Sequence, residues 1–175
     1  MTARQFFDWQ TLGGAKDVSR LVAALEEREI PWCMIGGLAV NHWAMEPMAT
    51  ADVDIVIVAA KIEEACEALK ELGFIESRHE WSINLKGESK VSIQITTDAA
   101  YLDFPARSVP ANVHGILMRV ASLEDTLTGK LAAYADATHR PVKKLKDLLD
   151  IGRLLETHPE LSDLVPADVL TKLNS

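Results

Sequence analysis

Residues 32–57 read WCMIGGLAVNHWAMEPMATADVDIVI, and this stretch decides the fold of the chain. A short apolar run closes on two glycines, which predicts a buried strand, Trp32–Ile35, that runs into a tight turn. Residues 38–45 can follow as a short helix. The apolar and β-branched residues of 52–58 predict a central strand that begins with Asp-x-Asp. The stretch therefore predicts a strand, a Gly-Gly turn, a short helix, a loop and a second strand.

Asp52 and Asp54 stand two residues apart at the head of the second strand. Such residues point to the same side, so two like charges are held together at the start of an apolar segment. The arrangement makes physical sense if a divalent cation lies between them, because Mg²⁺ takes one or two protein carboxylates together with water and phosphate oxygens. Mg²⁺ or Mn²⁺ is the predicted metal. The alternative is a polar strand entrance that faces water.

Gly36 and Gly37 predict a phosphate cradle. A strand that ends in two glycines before a helix presents unobstructed backbone amides to an anion at the positive helix end. For Gly-Gly alone, a plain tight turn is the alternative. The order of the elements and the fifteen residues from Gly37 to Asp52 favour the joint interpretation as a metal and phosphate site.

The rest of the chain predicts an α+β fold, with a small mixed sheet flanked by helices and more helices at the C-terminal end. Gly73 has the position of a C-cap, Ser122 that of an N-cap and Pro141 that of a first helical turn. We expect one domain over 1–175, with a core at about 17–120 and a helical part at about 121–175. The predicted helices are 18–28, 61–72, 123–136 and a long one from 141; the predicted strands are 79–85 and 91–96, forming a hairpin, and 113–120, while 101–112 is predicted to be irregular.

The last predicted helix carries two contrasting faces. Its apolar residues form a stripe that we expect to be core, made of Val142, Leu145, Leu148, Leu149, Gly152 and Leu155. Four charged residues fall on the opposite side and are candidates to line a cleft: Lys143, Lys146, Asp147 and Asp150. The alternative for them is a solvent face with ion pairs from Lys143 to Asp147 and from Lys146 to Asp150.

Charge and composition limit the classes of function. A net charge of -8 argues against broad adhesion to nucleic acid, which depends on Lys and Arg displacing counterions. The one basic cluster, residues 139–146, either meets phosphate or is the solvated start of a helix. No apolar run reaches the roughly 20 residues of a membrane span, and the start lacks a secretory signal, so we expect a cytoplasmic protein. Cys33 and Cys66 are expected to be reduced core residues.

Residues 35–40 and 50–55 resemble the signature of the nucleotidyltransferase superfamily that includes DNA polymerase beta. Within it, the chain is most similar to the AbiEii/AbiGii-type toxin nucleotidyltransferases. Residues 122–125, 129–133 and 146–151 resemble that family's helical lysine and its Arg/Lys-Asp-x-x-Asp motif. The resemblance implies a nucleoside triphosphate substrate, with the triphosphate on Gly36 and Gly37, magnesium on Asp52 and Asp54, catalysis by these aspartates with Lys130, and nucleotide contacts from Lys130, Lys146 and Asp147.

One position departs from the active enzymes of the superfamily, which usually supply a third carboxylate from a neighbouring strand. In 91–98, Gln94 or Ser92 stands about where that acid is expected. An amide or hydroxyl orients water but cannot serve as a base near neutral pH. Asp98 lies on the same face near the strand end and is the possible substitute. The missing acid bears on turnover more than on nucleotide binding.

Three functions follow as hypotheses. The first is a magnesium-dependent nucleotidyltransferase that moves a nucleoside monophosphate to an acceptor hydroxyl on RNA, such as a tRNA end, on a protein or on a small molecule. The second is a catalytically impaired nucleotide-binding module that acts through a partner, for which Gln94 is the main support. The third is a structural subunit with neither property. If the chain acts as in toxin-antitoxin or abortive-infection pairs, an antitoxin is an expected partner.

Overall fold

Seven strands and seven α-helices make up the molecule, in a computed structural model that describes residues 1–175. The strands are β1 (Trp32–Ile35), β2 (Asp52–Ile57), β3 (Ile75–Arg78), β4 (Ser82–Lys86), β5 (Ser92–Thr96), β6 (Val109–Val113) and β7 (Ile116–Val120). The helices are α1 (Ala3–Gln10), α2 (Ala15–Glu27), α3 (Gly36–Ala44), α4 (Ile62–Glu71), α5 (Leu123–Ala135), α6 (Pro141–Thr157) and α7 (Ala167–Leu173). No helix combines the length and apolar character that a membrane crossing needs.

The strands form one mixed sheet in the order β3-β4-β5-β2-β1-β7-β6. β2 lies at the centre, antiparallel to β1 and parallel to β5, and β1 is also parallel to β7. β4 and β5 form the predicted antiparallel hairpin. The α+β fold with a mixed sheet and C-terminal helices is therefore confirmed.

The two faces of the sheet differ in polarity near β2. Val53, Ile55 and Ile57 point to one face and join the largest apolar cluster, with residues of α1, α2 and α4. The alternate residues of β2 begin with Asp52 and Asp54 on the other face. A second apolar cluster lies among α3, α5, α6 and α7, so the C-terminal helices pack on α3 beside the sheet. Because the apolar side chains of β2 fix its register, its two aspartates are fixed on the opposite face.

Several local predictions are confirmed. Gly73 follows α4 with a φ of 91°, the left-handed conformation of a C-cap glycine. The Ser122 hydroxyl accepts a hydrogen bond from the Asp125 amide at 3.1 Å and caps α5. Pro141 opens α6 in its first turn. Cys33 and Cys66 are buried free thiols.

Other elements differ from the prediction. The predicted strand 113–120 is only the second half of a hairpin, because His114 and Gly115 turn the chain with φ values of 49° and 86°. The first half, β6, begins at Val109, inside the segment predicted to be irregular. α1, β3 and α7 were not predicted: β3 shows no apolar alternation, since Ile75 is exposed at the edge of the sheet.

α6 is rotated relative to the prediction, and the expected core stripe is wrong. Val142, Leu145 and Leu149 are 77%, 65% and 50% exposed, whereas Leu148, Gly152 and Leu155 are half-buried. The buried face instead holds Asp147, Asp150, Ile151, Arg153 and Leu154. Apolar residues occur on more than one side of this helix, so periodicity alone did not select the buried side. The buried side is the one whose polar residues find partners, Lys130 on α5 and Asn41 on α3.

Candidate active site

A cleft of about 530 Å³ opens on the aspartate face of the sheet, bounded by β2 and β5 on one side and by α5 and α6 on the other. The start of α3 closes one end of it. Most of the residues that the sequence singled out line the cleft, namely Gly36, Gly37, Asp52, Asp54, Gln94, Asp98, Lys130, Lys143, Lys146 and Asp147, whereas Ser92 and Asp150 do not. The predicted residues thus converge on a single space, although they come from six different segments of the chain.

The two glycines form the first residues of α3, and not a separate turn before it. No side chain caps the start of this helix, so its first backbone N–H groups have no side-chain acceptor. Gly36 has a φ of 69°, and a Cβ there would overlap the Oδ2 of Asp54. A Cβ on Gly37 would lie 3.5 Å from the Thr50 hydroxyl. The geometry therefore brings unblocked amides and a carboxylate together at Gly36, where a side chain does not fit, whereas Gly37 leaves room for a Cβ.

Asp54 is the more buried of the two carboxylates. Burial, and then repulsion by Asp52, raise its pKa from 3.8 to about 6, against the opposing effects of Lys130, Lys143 and Lys146. Asp52 is exposed at the head of β2. A cation between the two aspartates would favour the ionised form of Asp54.

The register of β2 against β5 decides which residue faces Asp54. Asp54 pairs with Gln94 and Asp52 pairs with Ser92, so each of the two residues considered for the third-acid position lies beside one aspartate. Asp98 lies beyond the end of β5 and accepts a hydrogen bond from the Ala100 amide at 2.9 Å. No group of three or more His, Cys, Asp or Glu side chains with metal-site geometry exists in the chain. The donor set of the site is thus a pair of carboxylates.

That pair fits a hard cation such as Mg²⁺ or Mn²⁺. These cations prefer oxygen ligands, and Mg²⁺ uses one or two carboxylates when phosphate and water supply the remainder. The orientation of Asp54 against Gly36 puts the carboxylate beside the unblocked amides of α3. Metal and phosphate would therefore share one end of the cleft.

Lys130 is held between two carboxylates of α6. Its Nζ lies 3.0 Å from the Oδ1 of Asp147 and 2.8 Å from the Oδ2 of Asp150. Burial alone would lower the pKa of Lys130, but Asp150 and Asp147 outweigh burial and the pKa is raised. The lysine is therefore a fixed ammonium group that is hydrogen-bonded to Asp147 and ion-paired with Asp150, and it keeps an N–H donor for a further partner.

These contacts exclude the ion pairs that were the alternative for α6. Asp147 and Asp150 pair with Lys130 of α5, while the Nζ of Lys143 lies 2.9 Å from the Nε2 of His139. His139, Arg140, Lys143 and Lys146 line the cleft, so this half of the basic cluster faces the site. We call these four residues the basic rim.

Some residues of the cleft were not foreseen. Trp81 is 60% exposed in its wall, and Tyr101 donates a hydrogen bond from its hydroxyl to the Gly129 carbonyl at 3.3 Å. Tyr101 belongs to the segment predicted to be irregular. Trp81 lies within the strand predicted over 79–85, and nothing in the local pattern indicated that either ring lines the cleft.

Solved structures of similar fold include several nucleotidyltransferases. ANT(2″)-Ia in complex with adenylyl-2″-tobramycin superposes with a TM-score of 0.63, at 16% identity over 90% of this chain and 97% of that one. A putative nucleotidyltransferase from Helicobacter pylori gives 0.61, at 19% identity over 93% of this chain and 74% of that one. The lincosamide antibiotic adenylyltransferase LnuA, bound to lincomycin, gives 0.56, at 15% identity over 79% and 96%. At these identities the likeness shows a shared fold.

Sequence comparison is more specific. No curated protein matches the chain. The model of one protein family, "Nucleotidyl transferase AbiEii toxin, Type IV TA system", matches residues 20–173 and so spans both the sheet with its aspartates and the C-terminal helices. The resemblance seen in the short motifs therefore extends over most of the sequence, and the protein belongs to the AbiEii family of nucleotidyl transferase toxins.

Proposed function

We propose that this protein is a magnesium-dependent nucleotidyltransferase that moves a nucleoside monophosphate from a nucleoside triphosphate to an acceptor hydroxyl. The observation that carries the proposal is the convergence of Asp52 and Asp54 with the unblocked amides of Gly36 and Gly37 in one cleft. Membership of the AbiEii family supports transfer of a nucleotidyl group. The metal, the acceptor and the biological role are the parts that we add.

Each side chain has a task in this proposal. Asp52 and Asp54 hold Mg²⁺ or Mn²⁺, which when bound neutralises phosphate charge and polarises the phosphoryl group. The amides of Gly36 and Gly37 donate hydrogen bonds to phosphate oxygens at the start of α3. Lys130 directs its remaining N–H donor to the nucleotide. Lys146 and the other cations of the basic rim attract the negatively charged substrates.

In the reaction, an acceptor oxygen forms a bond to the α-phosphorus while the bond from that phosphorus to the β-phosphate oxygen breaks. Pyrophosphate leaves, and the acceptor proton passes to water. Gln94 faces Asp54 and can orient the acceptor hydroxyl, but its amide cannot take a proton near neutral pH. We therefore expect slow turnover, with Asp98 at the cleft wall as the carboxylate that can receive the proton from that water.

A second candidate function is a nucleotide-binding module that acts through a partner. It is favoured by one observation, the pairing of Gln94 with Asp54 where active superfamily members usually place an acid. The module would bind metal and nucleoside triphosphate through the same aspartates and glycines. It differs from the enzyme only in that no nucleotidyl group is transferred.

The acceptor and the setting complete the proposal. We favour an RNA end as acceptor because the basic rim offers cations for a phosphate backbone at the cleft; a protein side chain or a small molecule is the alternative. We further propose a cytoplasmic toxin with a cognate antitoxin, as the family's description as a type IV toxin-antitoxin component suggests.

A label-transfer assay tests the function. The protein is incubated with Mg²⁺ and each of the four α-³²P nucleoside triphosphates, with total RNA, purified tRNA or RNA-free cell extract as the acceptor source. We expect label on one acceptor class, release of pyrophosphate, and loss of both in Asp52→Asn plus Asp54→Asn. The matched control replaces two exposed aspartates of the C-terminal segment, Asp163→Asn plus Asp168→Asn, and retains transfer.

Equilibrium dialysis with the same nucleotides separates the two candidates. Nucleotide binding that depends on Asp52 and Asp54, without transfer to any acceptor, supports the binding module. If neither binding nor transfer depends on these aspartates, both candidate functions are wrong.

A further inference from the structure

The loop between α3 and β2, residues 45–51, delivers Asp52 to the site and is anchored at several points. It begins at Met45, which has a left-handed φ of 57°, an unfavourable conformation for a residue with a side chain. The side chain of Asn41 holds the next part, donating to the Met48 carbonyl at 2.8 Å and accepting from the Met48 amide at 3.1 Å. Near its end, the Thr50 amide donates to the Gln10 carbonyl at 2.8 Å.

Arg153 of α6 reaches this loop from the C-terminal helices. Its Nη2 donates to the Oδ1 of Asn41 at 2.8 Å and also to the Glu46 carbonyl, and its Nη1 donates to the Oδ1 of Asp150 at 3.0 Å. The side chain is buried, with 7% of the residue exposed. One guanidinium group thus joins α6, α3 and the loop, a geometry that a lysine cannot reproduce with its single nitrogen.

The same arginine is linked to the cleft. Asp150 accepts from Arg153 on one oxygen and lies 2.8 Å from the Nζ of Lys130 on the other. A continuous buried polar chain therefore runs from Lys130 in the cleft through Asp150, Arg153 and Asn41 to Met48. Lys130 and Arg153 balance the charges of Asp147 and Asp150 along it.

Two further contacts fasten the end of α3 to α6. The Thr157 hydroxyl donates to the Ala44 carbonyl at 3.2 Å, and the Nε2 of His158 lies 2.8 Å from the Trp43 carbonyl. These bonds satisfy the helix end without reaching the loop. Arg153 alone among the α6 side chains bonds to the loop, and its Nε is buried without a partner. Arg153 is therefore distinguished by its contacts with Asn41 and the loop, although one of its own donors has no partner.

We propose that Arg153 is a positioning residue for the carboxylate pair. It fixes the backbone at Glu46 and Met48 and so sets where Asp52 enters β2 relative to Asp54 and Lys130. The proposal deepens the proposed function, since it rests on metal binding by Asp52 and Asp54. No contact of Arg153 with substrate is involved.

Mn²⁺ binding followed by electron paramagnetic resonance tests this, with and without inorganic tripolyphosphate as a base-free mimic of the nucleotide. Arg153→Lys keeps the positive charge beside Asp150 but cannot hold both Asn41 and the loop. We expect Mn²⁺ affinity to fall about five- to tenfold. Asn41→Ala removes the same link from the other side, and we expect it to lower Mn²⁺ affinity by a similar factor. The double variant should bind Mn²⁺ no more weakly than either single variant.

The control is Asp17→Ala, which removes a buried carboxylate that accepts from the Ser89 amide at 2.8 Å, in a network that shares no residue with the cleft. We expect it to lower the melting temperature and to leave Mn²⁺ affinity unchanged. Wild-type Mn²⁺ affinity in folded Arg153→Lys and Asn41→Ala would overturn the positioning role. Mn²⁺ binding that is insensitive to Asp52→Asn would instead overturn the proposed site itself, and the role of Arg153 with it.

Discussion

Gly36 is the residue at which the backbone comes closest to a proposed metal ligand. Gly36→Ala combines a left-handed φ of 69° with an overlap between the new Cβ and the Oδ2 of Asp54. The backbone cost is about 1–2 kcal/mol, and the displaced carboxylate should add a loss of metal affinity. We expect a lower unfolding free energy in denaturant titration and at least a tenfold weaker Mn²⁺ affinity.

Gly73 provides the matched control for this substitution. Its φ of 91° carries a similar backbone penalty, yet a Cβ there would have nothing within 4 Å. Gly73→Ala should therefore lower stability by about 1–2 kcal/mol and leave Mn²⁺ affinity as in the wild type. Equal losses of affinity in the two variants would contradict the local effect at Asp54.

The raised pKa of Asp54 predicts a pH-dependent unfolding free energy. Its pKa is raised from 3.8 to about 6, mainly by burial, so the metal-free folded state is disfavoured as the pH rises through this window. Asp54→Asn should therefore stabilise the metal-free protein at pH 8 by on the order of 2 kcal/mol, and by little at pH 4. Thermal unfolding across pH 4–8 measures this difference.

The metal response should have the opposite sign. Below about pH 6 the Asp54 carboxyl is protonated and is a poor metal ligand, so stabilisation by Mg²⁺ should grow as the pH rises through 6. Asp54→Asn should abolish this growth while leaving the protein folded. A Mg²⁺ response that does not change between pH 5 and 8 would contradict the assignment.

At the scale of elements, α6 shows what periodicity predicts and what it leaves open. The existence of α6 and its start at Pro141 followed from the sequence, but its buried side did not. Two apolar faces compete on this helix, and the structure buries the one that also carries Asp147 and Asp150. The choice depends on Lys130, 17 residues before Asp147, and on Arg153 reaching Asn41, contacts that no local pattern contains.

The central strands were predicted more fully than the edge strands. The alternation of β2 and β5 placed Asp54 and Gln94 on one face, and their pairing followed once the two strands were adjacent and parallel. The edges β3 and β6 were missed because an edge strand has little apolar side chain to bury on one or both faces. Sequence signals were therefore strongest where the site is built and weakest at the sheet margins.

The orientation of α6 is testable by paired substitutions. Leu145 is 65% exposed, so Leu145→Ser should change the unfolding free energy by no more than about 0.5 kcal/mol. Leu154 is fully buried, and Leu154→Ala should cost about 2–5 kcal/mol. Denaturant titration of both variants decides between the two faces, because the stripe first expected to be core requires Leu145→Ser to be strongly destabilising.

At the scale of the whole molecule, charge is distributed unevenly. The chain carries a net charge of -8, yet the basic rim gathers Arg140, Lys143 and Lys146 at the cleft. Long nucleic acid should be repelled by most of the surface, while a short single-stranded end can meet the rim. The molecule as a whole is therefore suited to local contact with an RNA end and unsuited to coating an RNA.

This asymmetry predicts a small salt dependence of RNA binding. Three cations neutralise about three phosphates, so log Kd should change with log salt by a slope of about 2 in magnitude for a single-stranded oligonucleotide. Lys143→Gln plus Lys146→Gln should weaken binding and reduce the slope toward that of one contact. Lys61→Gln plus Lys70→Gln removes the same charge at α4, where both lysines pair with glutamates, and should leave the slope unchanged. Fluorescence anisotropy over a salt series measures these slopes, and equal effects of the two double variants would assign RNA binding to net charge and not to the rim.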